Sequence, residues 1–320
     1  MIGKICGTGS YVPDNFMDNH ALAELVDTND EWIQERTGII RRHVITDDTT
    51  VSMAVKASRR ALEMSGVSPD QLDLIIVSTL SSDVVLPSAA CRVQEELGAL
   101  NATCFDMNAA CTGFMFGYIA AQAYISSGMY QKVLLIGSES LSNYINWKDR
   151  STCILFGDGA GAAVLRAEPG TAYQPVTRSD GSAGNSLTCD SRHKREWDAD
   201  ANPDDTYIRM DGQAVFKFAV KKVPEVIDEV LIKNQTDIGD IDWFILHQAN
   251  KRIIDSIARR LGADREKFPT NVEEYGNTSS ASIPILLDEM NRKGMLKPGQ
   301  RIMLAGFGAG LSWGAAMLKW

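Results

Sequence analysis

The sequence has no excess of positive charge: its 320 residues include 32 lysines and arginines against 41 aspartates and glutamates, a net charge of −9. This balance argues against non-specific nucleic-acid binding, and any anion site must be a local basic patch. The six cysteines contain no CxxC pair and no set of Cys and His at zinc spacing, which argues against a disulfide framework and a metal site. The N-terminus lacks the apolar core of a signal peptide, and we therefore expect free thiols in a reducing cytoplasm.

Long hydrophobic runs are also scarce. The longest stretch without a charge lies between Asp106 and Lys132, and its length raises the question of a membrane span. It contains Asn108, Gln122 and several glycines, which favours a core helix of a large α/β protein instead. Hydrophobic residues make up 44% of the chain and charged residues 23%, as is usual for a globular protein. We therefore expect neither a membrane nor a nucleic-acid partner.

Cys111 lies where a predicted buried strand meets a predicted buried helix over residues 112–126. The N–H groups and the dipole at a helix start favour negative charge, so we expect this thiol to ionise more easily than usual. The small residues Ala109, Ala110 and Gly113 would let a substrate carbonyl approach the backbone closely. Cys111 is therefore a candidate nucleophile. The alternative is that it is one of the many inert cysteines of protein cores.

Buried strands and helices alternate along the chain, which indicates the α/β class. Residues 2–12 form a glycine-studded segment that predicts a strand, and apolar runs predict strands over residues 72–80, 131–138, 242–246 and 301–305. Helices are predicted over residues 51–65, 87–97, 112–126 and 215–233. The glycine-rich residues 157–161 predict a tight connection, and the glycine-rich residues 306–310 follow the last predicted strand. Residues 268–274 predict an extended segment, and the polar residues 178–206 predict a long surface loop or lid.

The chain resembles itself at a shift of about 165 residues. Residues 73–77 match residues 242–246, and each strand leads into a helix that ends in Leu-Gly-Ala. We therefore predict two similar βα halves, residues 1–170 with the nucleophile and residues 171–320 with the other candidate groups. A pseudo-two-fold axis would make the ends of equivalent strands face one another.

The repeat also predicts where the candidate side chains meet. The small-residue turn before a helix carries Cys111 in the first half and Asn277 in the second, so we expect these two positions to be equivalent and to converge. His247 directly follows its strand, at the end where α/β sheets place ligands. Together these groups suit acyl transfer, because a thiolate attacks a thioester and imidazole and amide N–H groups stabilise an oxyanion. Papain-like proteases use the same three residue types, but their Cys motif differs.

Five motifs together resemble the 3-oxoacyl-[acyl-carrier-protein] synthase III family over nearly the whole chain. They are residues 108–114 (NAACTGF), 156–161 (FGDGAG), 247–250 (HQAN), 276–279 (GNTS) and 306–313 (GFGAGLSW). The resemblance implies the thiolase fold, an α/β fold in which two pseudo-two-fold related βα halves form a layered αβαβα core. It also implies the initiating condensing enzyme of type II fatty acid synthesis.

The reaction implied by the resemblance has two stages. A short acyl-CoA acylates Cys111, and malonyl-ACP (ACP, acyl carrier protein) then loses CO₂ while His247 and Asn277 hold the enolate oxygen. The carbanion attacks the thioester and gives 3-oxoacyl-ACP. The backbone N–H groups of Cys111 and Ala309 are implied as a second oxyanion hole, although the family usually has Gly where this chain has Ala309. The resemblance implies no cofactor beyond these substrates, and it implies a homodimer.

Trp32, Arg36 and Arg150 match the residues that bind the CoA nucleotide in the family. The spacing supports part of this match, since residues four apart share a helix face. An aromatic plate beside a guanidinium could stack a base and hold a phosphate. The alternative is a surface Trp packed on an Arg stem.

Two further roles are implied by the resemblance. Arg252, together with Lys251, is expected to meet the acidic carrier protein, with solvated helix charges as the alternative. Leu86 lies where many relatives carry Phe, a residue that reaches into the acyl pocket of the partner subunit. A smaller side chain there would leave room for a longer or branched starter.

Several other functions remain open from the sequence alone. A specialised synthase that makes a polyketide or signal precursor would carry the same motifs. A silent acyl-CoA or carrier-protein binder would not need an intact set of Cys, His and Asn. A degradative thiolase would carry a second Cys in the C-terminal half, where this chain has Asn277. Elongating synthases use two histidines, whereas His20, His43 and His193 do not lie at repeat-equivalent strand ends.

Overall fold

The structure is a computed structural model, described over residues 1–190 and 206–320. The strands within these ranges are β1 (Ile2–Tyr11), β2 (Phe16–Asp18), β3 (Arg41–His43), β4 (Leu74–Ser78), β5 (Thr103–Met107), β6 (Lys132–Glu139), β7 (Gly159–Glu168), β8 (Val176–Ser179), β9 (Leu187–Thr188), β10 (Arg209–Met210), β11 (Trp243–Leu246), β12 (Arg301–Gly308) and β13 (Ser312–Lys319). The helices are α1 (Asn19–Ala23), α2 (Asp30–Thr37), α3 (Thr50–Ser65), α4 (Ala89–Leu97), α5 (Gly113–Ser126), α6 (Arg150–Cys153), α7 (Gly212–Lys233), α8 (Lys251–Leu261), α9 (Val272–Tyr275) and α10 (Ser282–Arg292). Short 3₁₀ turns at Ala110–Thr112 and Ser279–Ala281 lead into α5 and α10.

Two mixed sheets organise the described chain. The first has the order β1-β7-β6-β4-β5, and the second has the order β8-β13-β12-β11. In the first sheet β4 runs parallel to β5 and β6, while in the second β11 runs parallel to β12. All five residues of β4 are buried, as expected for an apolar strand that is covered on both faces.

Helices cover both faces of each sheet and give five layers. The uncharged helix α5 and α10 lie between the sheets, where Phe114 and Leu286 share one apolar cluster with Leu135 of β6 and Leu304 of β12. The outer face of the first sheet packs against α3 and α4, and that of the second against α7 and α8. The order of layers is therefore αβαβα, as the family resemblance implies.

The internal repeat has a register of 169 residues rather than about 165. Asp73 accepts a hydrogen bond from the N–H of Lys132 (2.9 Å), the first residue of β6. Asp242 accepts one from the N–H of Arg301 (2.7 Å), the first residue of β12. These contacts are equivalent, and they relate β4 to β11 and β6 to β12.

This register corrects the expected equivalence of Cys111 and Asn277. The counterpart of Asn277 is Asn108, because each side-chain Oδ1 accepts a hydrogen bond from the N–H two residues further on (2.9 Å and 3.3 Å). The counterpart of Cys111 is Ser280. The sequence prediction was wrong here because small residues fill both turns and hide a slip of three positions.

The predicted strands over residues 2–12, 72–80, 131–138, 242–246 and 301–305 are all present, as are the predicted helices over residues 51–65, 87–97, 112–126 and 215–233. Their ends shift by three residues or fewer. Pro224 lies inside α7 without ending it. Helix-ending residues were therefore reliable guides to the element boundaries. Gly66 and Gly98, for example, cap α3 and α4 in the left-handed conformation.

Three local predictions need correction. Residues 268–274 are not extended throughout, because α9 satisfies its backbone locally through bonds such as Gly276 N–H to Val272 O (2.9 Å). The predicted tight connection at 157–161 is partly strand, since β7 begins at Gly159. The predicted loop over 178–206 contains β9, which pairs with β10, and its residues 191–205 lie outside the described residues.

Candidate active site

Cys111 lies in the 3₁₀ turn between β5 and α5 and is buried. The residue before it, Ala110, has a left-handed backbone conformation with a φ of 44°. The turn lies next to the end of β12. A Cβ at Gly308 would lie 2.8 Å from Cys111 Cβ and 3.0 Å from its N atom. Only glycine at position 308 therefore lets the second sheet approach the candidate nucleophile this closely.

The thiol of Cys111 does not ionise as easily as its position before a helix suggested. The pKa of Cys111 is raised to about 12, chiefly by burial; a contact with Ser279 lowers it and the charge of Glu139 raises it, both to a smaller extent. Loss of water around the sulfur thus outweighs the favourable helix start in the substrate-free pocket. The expectation of an acidic thiol is therefore wrong for this state of the protein.

His247 follows β11 and is buried, with its N–H bonded to Ala305 O of β12 (2.9 Å). Its Nδ1 atom lies 2.7 Å from Ser282 Oγ on α10, and its ring meets the edge of Phe307 at a centroid distance of 5.4 Å. Burial lowers the pKa of His247 to about 3. The imidazole is therefore neutral at physiological pH and has one N–H to donate.

Asn277 is buried and is fixed by its backbone to the segment before β7. Its N–H donates to Leu155 O (2.8 Å), and its carbonyl accepts from the N–H of Gly157 (3.1 Å). Its side-chain Oδ1 accepts from the N–H of Ser279 (2.9 Å). The acceptor end of the amide is thus occupied, and the Nδ2 donors remain available.

One cavity of about 710 Å³ opens beside Cys111. Cys111 and Ala309 line it directly, as do Phe156 and Ser279. His247 and Asn277 are buried and do not line the cavity themselves. The ring of His247 packs on Phe307, the neighbour of Gly308. Asn277 forms a β-bridge with the cavity-lining residue Phe156. The fold therefore brings together the two ends of the repeat that the sequence predicted to converge.

Ala309 lies in the turn between β12 and β13 and faces the same cavity as Cys111. Among the described residues other than glycine, positive φ angles occur at Ala110, Gln235 and Ser279, so Ala309 has an ordinary backbone conformation. The left-handed angle in this turn belongs to Gly310, with φ of 143°. A Cβ at position 309 is therefore tolerated, and a backbone N–H donor can be retained there.

The residues expected to bind the CoA nucleotide come together on the surface. The guanidinium carbon of Arg36 lies 4.9 Å from the ring centroid of Trp32, and that of Arg150 lies 4.8 Å from it. Trp32 is positioned because Asn29 caps α2 by accepting from the Trp32 N–H (2.8 Å). Arg150 is held by donation to Asp27 O (2.7 Å). Neither guanidinium pairs with a carboxylate in the described chain, so both remain open to a phosphate.

The two residues expected to meet the carrier protein differ in their surroundings. Lys251 forms an ion pair with Glu273 (2.8 Å), which offsets its charge. Arg252 is exposed, and its guanidinium lies 5.8 Å from the ring centroid of Phe216. Arg252 is therefore the freer of the two cations.

Leu86 points away from the cavity of its own chain. It is 85% exposed, and its neighbour Val85 is 79% exposed. Val84 and Val85 line the cavity, whereas Leu86 does not. Leu86 and Val85 thus form an exposed apolar tip beside the residues that line the cavity.

Sequence reasoning missed three polar residues of the site. Ser282 contacts His247, and Ser279 contacts Cys111. Glu139 is buried and accepts hydrogen bonds from Ser81 Oγ (2.7 Å) and Ser280 Oγ (2.8 Å), and burial raises its pKa. The signal for Glu139 was present in the sequence, because a carboxylate that ends a buried apolar strand demands an explanation. The serines gave no such signal.

Two searches of the described residues bear on other kinds of site. No cluster of three or more His, Cys, Asp or Glu side chains in these residues is arranged to hold a metal ion. Within the same residues, no helix combines the length and the apolar character needed to cross a bilayer.

Two family models match the chain. Residues 105–181 match the model described as 3-Oxoacyl-[acyl-carrier-protein (ACP)] synthase III, and residues 231–320 match the model of its C terminal region. The first match contains Cys111, and the second contains His247 and Asn277. The motif resemblance found in the sequence thus rests on both halves of the chain.

Known proteins resemble the chain over its full length. It is 48% identical to the beta-ketoacyl-[acyl-carrier-protein] synthase III of Clostridium novyi (strain NT), over 99% of this chain and 98% of that protein. The crystal structure of 3-oxoacyl-[acyl-carrier-protein] synthase III from Aquifex aeolicus VF5 superimposes with a TM-score of 0.94 at 42% identity, covering 99% and 100% of the two chains. The priming beta-ketosynthase of the R1128 polyketide pathway gives a TM-score of 0.94 at 37% identity, covering 99% and 96%.

The predicted thiolase fold is therefore confirmed by solved structures of this type. The motifs, the layered architecture and the long, close relatives agree with one another. The chain belongs to the 3-oxoacyl-[acyl-carrier-protein] synthase III family, the condensing acyltransferases that initiate fatty acid synthesis.

Proposed function

We propose that Cys111 is the nucleophile of a two-stage acyl transfer. Its sulfur attacks the carbonyl of a short acyl-CoA, the bond from the acyl carbon to the CoA sulfur breaks, and the Cys111 proton leaves with CoA as its thiol. The N–H groups of Cys111 and Ala309 stabilise the oxyanion of this step. The thiol must lose its proton during attack, because its pKa of about 12 leaves little thiolate beforehand.

In the second stage malonyl-ACP loses CO₂, and the electron pair of the broken bond moves to the enolate oxygen. His247 and Asn277 donate to that oxygen, and the nucleophilic carbon then attacks the thioester on Cys111. The bond to sulfur breaks, 3-oxoacyl-ACP leaves, and the thiolate takes a proton from solvent. These steps require no cofactor besides the two substrates.

One observation carries the assignment of His247 and Asn277 as donors. Each uses its acceptor atom inside the protein, since Nδ1 of His247 meets Ser282 and Oδ1 of Asn277 accepts from Ser279. What remains is one imidazole N–H and one amide NH₂. A histidine with a pKa of about 3 is a poor base at neutral pH, which supports electrophilic help over proton abstraction.

The surface supports roles for the two thioester carriers. We propose that the plate formed by Trp32, Arg36 and Arg150 holds the nucleotide and phosphates of acyl-CoA, because two unpaired guanidinium groups flank one indole. We propose that the exposed Arg252 contacts an acidic carrier protein. Lys251 is the weaker candidate, since Glu273 already neutralises it.

A homodimer fits the exposed apolar tip at Leu86. A second copy would cover Leu86 and would gain that side chain in its acyl cavity, so that the starter pocket is shared between subunits. The two halves, residues 1–170 and 171–320, would then act as one catalytic unit within each subunit. Light scattering of the purified protein measures this assembly directly.

A second candidate is a specialised synthase that makes a polyketide or signal precursor. The similarity to a priming ketosynthase from a polyketide pathway supports this second candidate. It shares the chemistry proposed above and differs in the starter and the carrier. The distinction therefore lies in substrate preference and not in the catalytic residues.

The proposal is tested by product formation. The protein is incubated with malonyl-ACP and with each of acetyl-, butyryl-, isobutyryl- and isovaleryl-CoA, and the mass of the ACP product is measured. We expect 3-oxoacyl-ACP extended by two carbons from the preferred starter. Absence of any such product with every starter and with alternative carriers would overturn the proposal.

A further inference from the structure

The hydroxyl group of Ser279 is buried in the wall of the catalytic cavity without a well-formed hydrogen bond. The residue is 1% exposed, and its Oγ atom has no partner of good geometry among the described residues. It lines the cavity together with Cys111. A buried hydroxyl with no partner is costly, so its presence calls for a functional explanation.

The backbone around Ser279 does not need that hydroxyl. Its counterpart in the repeat is Ala110, and the two residues have nearly the same left-handed φ, 49° and 44°. Both donate their N–H to the side-chain oxygen of an Asn two residues earlier. Alanine is therefore sufficient for this turn in the first half, and the oxygen at position 279 is an addition that the turn geometry does not explain.

We propose that the Ser279 hydroxyl is a catalytic hydrogen-bond donor to the Cys111 sulfur. This rests on the proposed role of Cys111 as the nucleophile. The hydroxyl stabilises negative charge on sulfur when the thiol loses its proton in acylation and again when sulfur leaves in condensation. Both residues line the same cavity, and Ser279 lowers the pKa of Cys111 against the larger opposing effect of burial.

The charged and titratable groups named below do not stabilise negative charge on the Cys111 sulfur. Glu139, at the end of β6, raises the pKa of Cys111. His247, past the end of β11, is held neutral by burial. Asp83 and Asp190 line the same cavity, and no Lys or Arg among the described residues does so. A neutral hydroxyl donor therefore supplies stabilisation that a cation gives in other reactive thiol sites.

The test measures how fast iodoacetamide alkylates Cys111 between pH 6 and 9. Removing a hydrogen bond to an ionised sulfur raises the thiol pKa by about one unit in Ser279→Ala. A less acidic thiolate is also more nucleophilic, so we expect a rate about threefold lower at every pH in this range. The two plots of log rate against pH should be parallel.

Two further variants separate the hydroxyl from the fold. Ser279→Gly also lacks the hydroxyl and suits a positive φ, so it should show the same parallel shift. Ser58→Ala removes an equally buried hydroxyl on α3, which donates to Ala54 O (2.7 Å), and it should leave the alkylation rate unchanged. A peptide map locates the label on Cys111.

The outcomes decide the inference independently of acyl transfer. Equal rates in wild type, Ser279→Ala and Ser279→Gly would overturn it, as would a change in the Ala variant alone, since that reports on the backbone. If the shift is found but no acyl-CoA acylates Cys111, the proposed function fails while the donor role of Ser279 toward the thiolate stands.

Discussion

The Nδ1 atom of His247 lies 2.7 Å from the Oγ atom of Ser282. The same Oγ atom accepts a hydrogen bond from the N–H of Gln248 (3.3 Å), and its own proton is free to be donated to Nδ1. We propose that it is donated there, which places the proton of the neutral imidazole on Nε2. This pairing gives His247 the tautomer that a donor to the enolate oxygen requires.

Replacing Ser282 by Ala should weaken condensation more than acylation. Without the hydroxyl, the imidazole loses the bond that selects its tautomer, and we expect the condensation rate to fall by about five- to tenfold. Single-turnover acylation from acyl-CoA should be unchanged. Equal slowing of both half-reactions would show that Ser282 supports the fold of the site rather than His247.

Asn277→Ala and Cys111→Ser should fail at different stages. Loss of one oxyanion donor costs about 10²- to 10³-fold in rate, so Asn277→Ala should still form the acyl-enzyme but condense slowly. Cys111→Ser should form no thioester. Rapid-quench measurement of each half-reaction checks this, and normal condensation by Asn277→Ala would refute the role given to Asn277.

Arg36→Ala and Arg150→Ala should each raise KM for acyl-CoA with little change in kcat. Each loses a charge-assisted contact to phosphate, and we expect about a tenfold effect. An acyl-pantetheine, which lacks the nucleotide, should be used equally well by wild type and both variants. Arg166→Ala serves as a matched control, because that arginine is exposed on β7. Equal KM values for acyl-CoA in all four proteins would exclude the Trp32 plate as the nucleotide site.

Leu86→Phe should shift starter preference toward acetyl-CoA. The larger side chain would fill the acyl cavity that Leu86 is proposed to complete in a second subunit, and it should lower kcat/KM for branched or longer starters. Competition between acetyl-CoA and isobutyryl-CoA measures the shift. An unchanged starter profile would remove Leu86 from the specificity determinants.

His247 should make stability fall on acidification. Its folded pKa of about 3 lies below the unfolded value of about 6.5. The contribution of His247 to the free energy of unfolding is therefore fully present above pH 6.5. It is lost as the pH falls toward 3, by at most about 1.4 kcal/mol per pH unit. Urea unfolding of wild type and His247→Gln from pH 7.5 to 5 gives the difference.

The difference in unfolding free energy between wild type and His247→Gln separates the effect of His247 from those of Glu139 and Asp158. Burial raises the pKa of both carboxyls, so they favour the folded state as the pH falls and act in the opposite direction. They contribute equally to wild type and variant and cancel. A difference that is independent of pH would contradict a buried neutral His247.

Much of the fold could be predicted because its signals are local. Apolar runs, glycine caps and the strand-end position of His247 gave the α/β class and the layered halves. Residues 272–275 were misjudged because their backbone bonds close within one helical turn, and periodicity in so short a segment is ambiguous. Asn108, and not Cys111, is the partner of Asn277, as the matching bonds from a backbone N–H to each Asn side chain show.

The site was predicted in its residue types but not in its energetics. The motifs pointed to Cys111, His247 and Asn277, whose shared role stays a prediction, whereas the pKa of Cys111 depends on burial that arises only when both sheets pack against it. The ion pair that occupies Lys251 and the exposure of Leu86 likewise depend on tertiary contacts. Ser279 carries no sequence signal of its own beyond its place in a motif.

Cys111 is proposed to carry the acyl group between the two substrates. The direct measurement is the intact mass of the protein after incubation with an acyl-CoA and again after addition of malonyl-ACP. We expect an adduct of the acyl mass that maps to Cys111, is absent from Cys111→Ser, and disappears as 3-oxoacyl-ACP forms. A product that forms without this adduct, or an adduct on another residue, would show that Cys111 is not the acyl carrier.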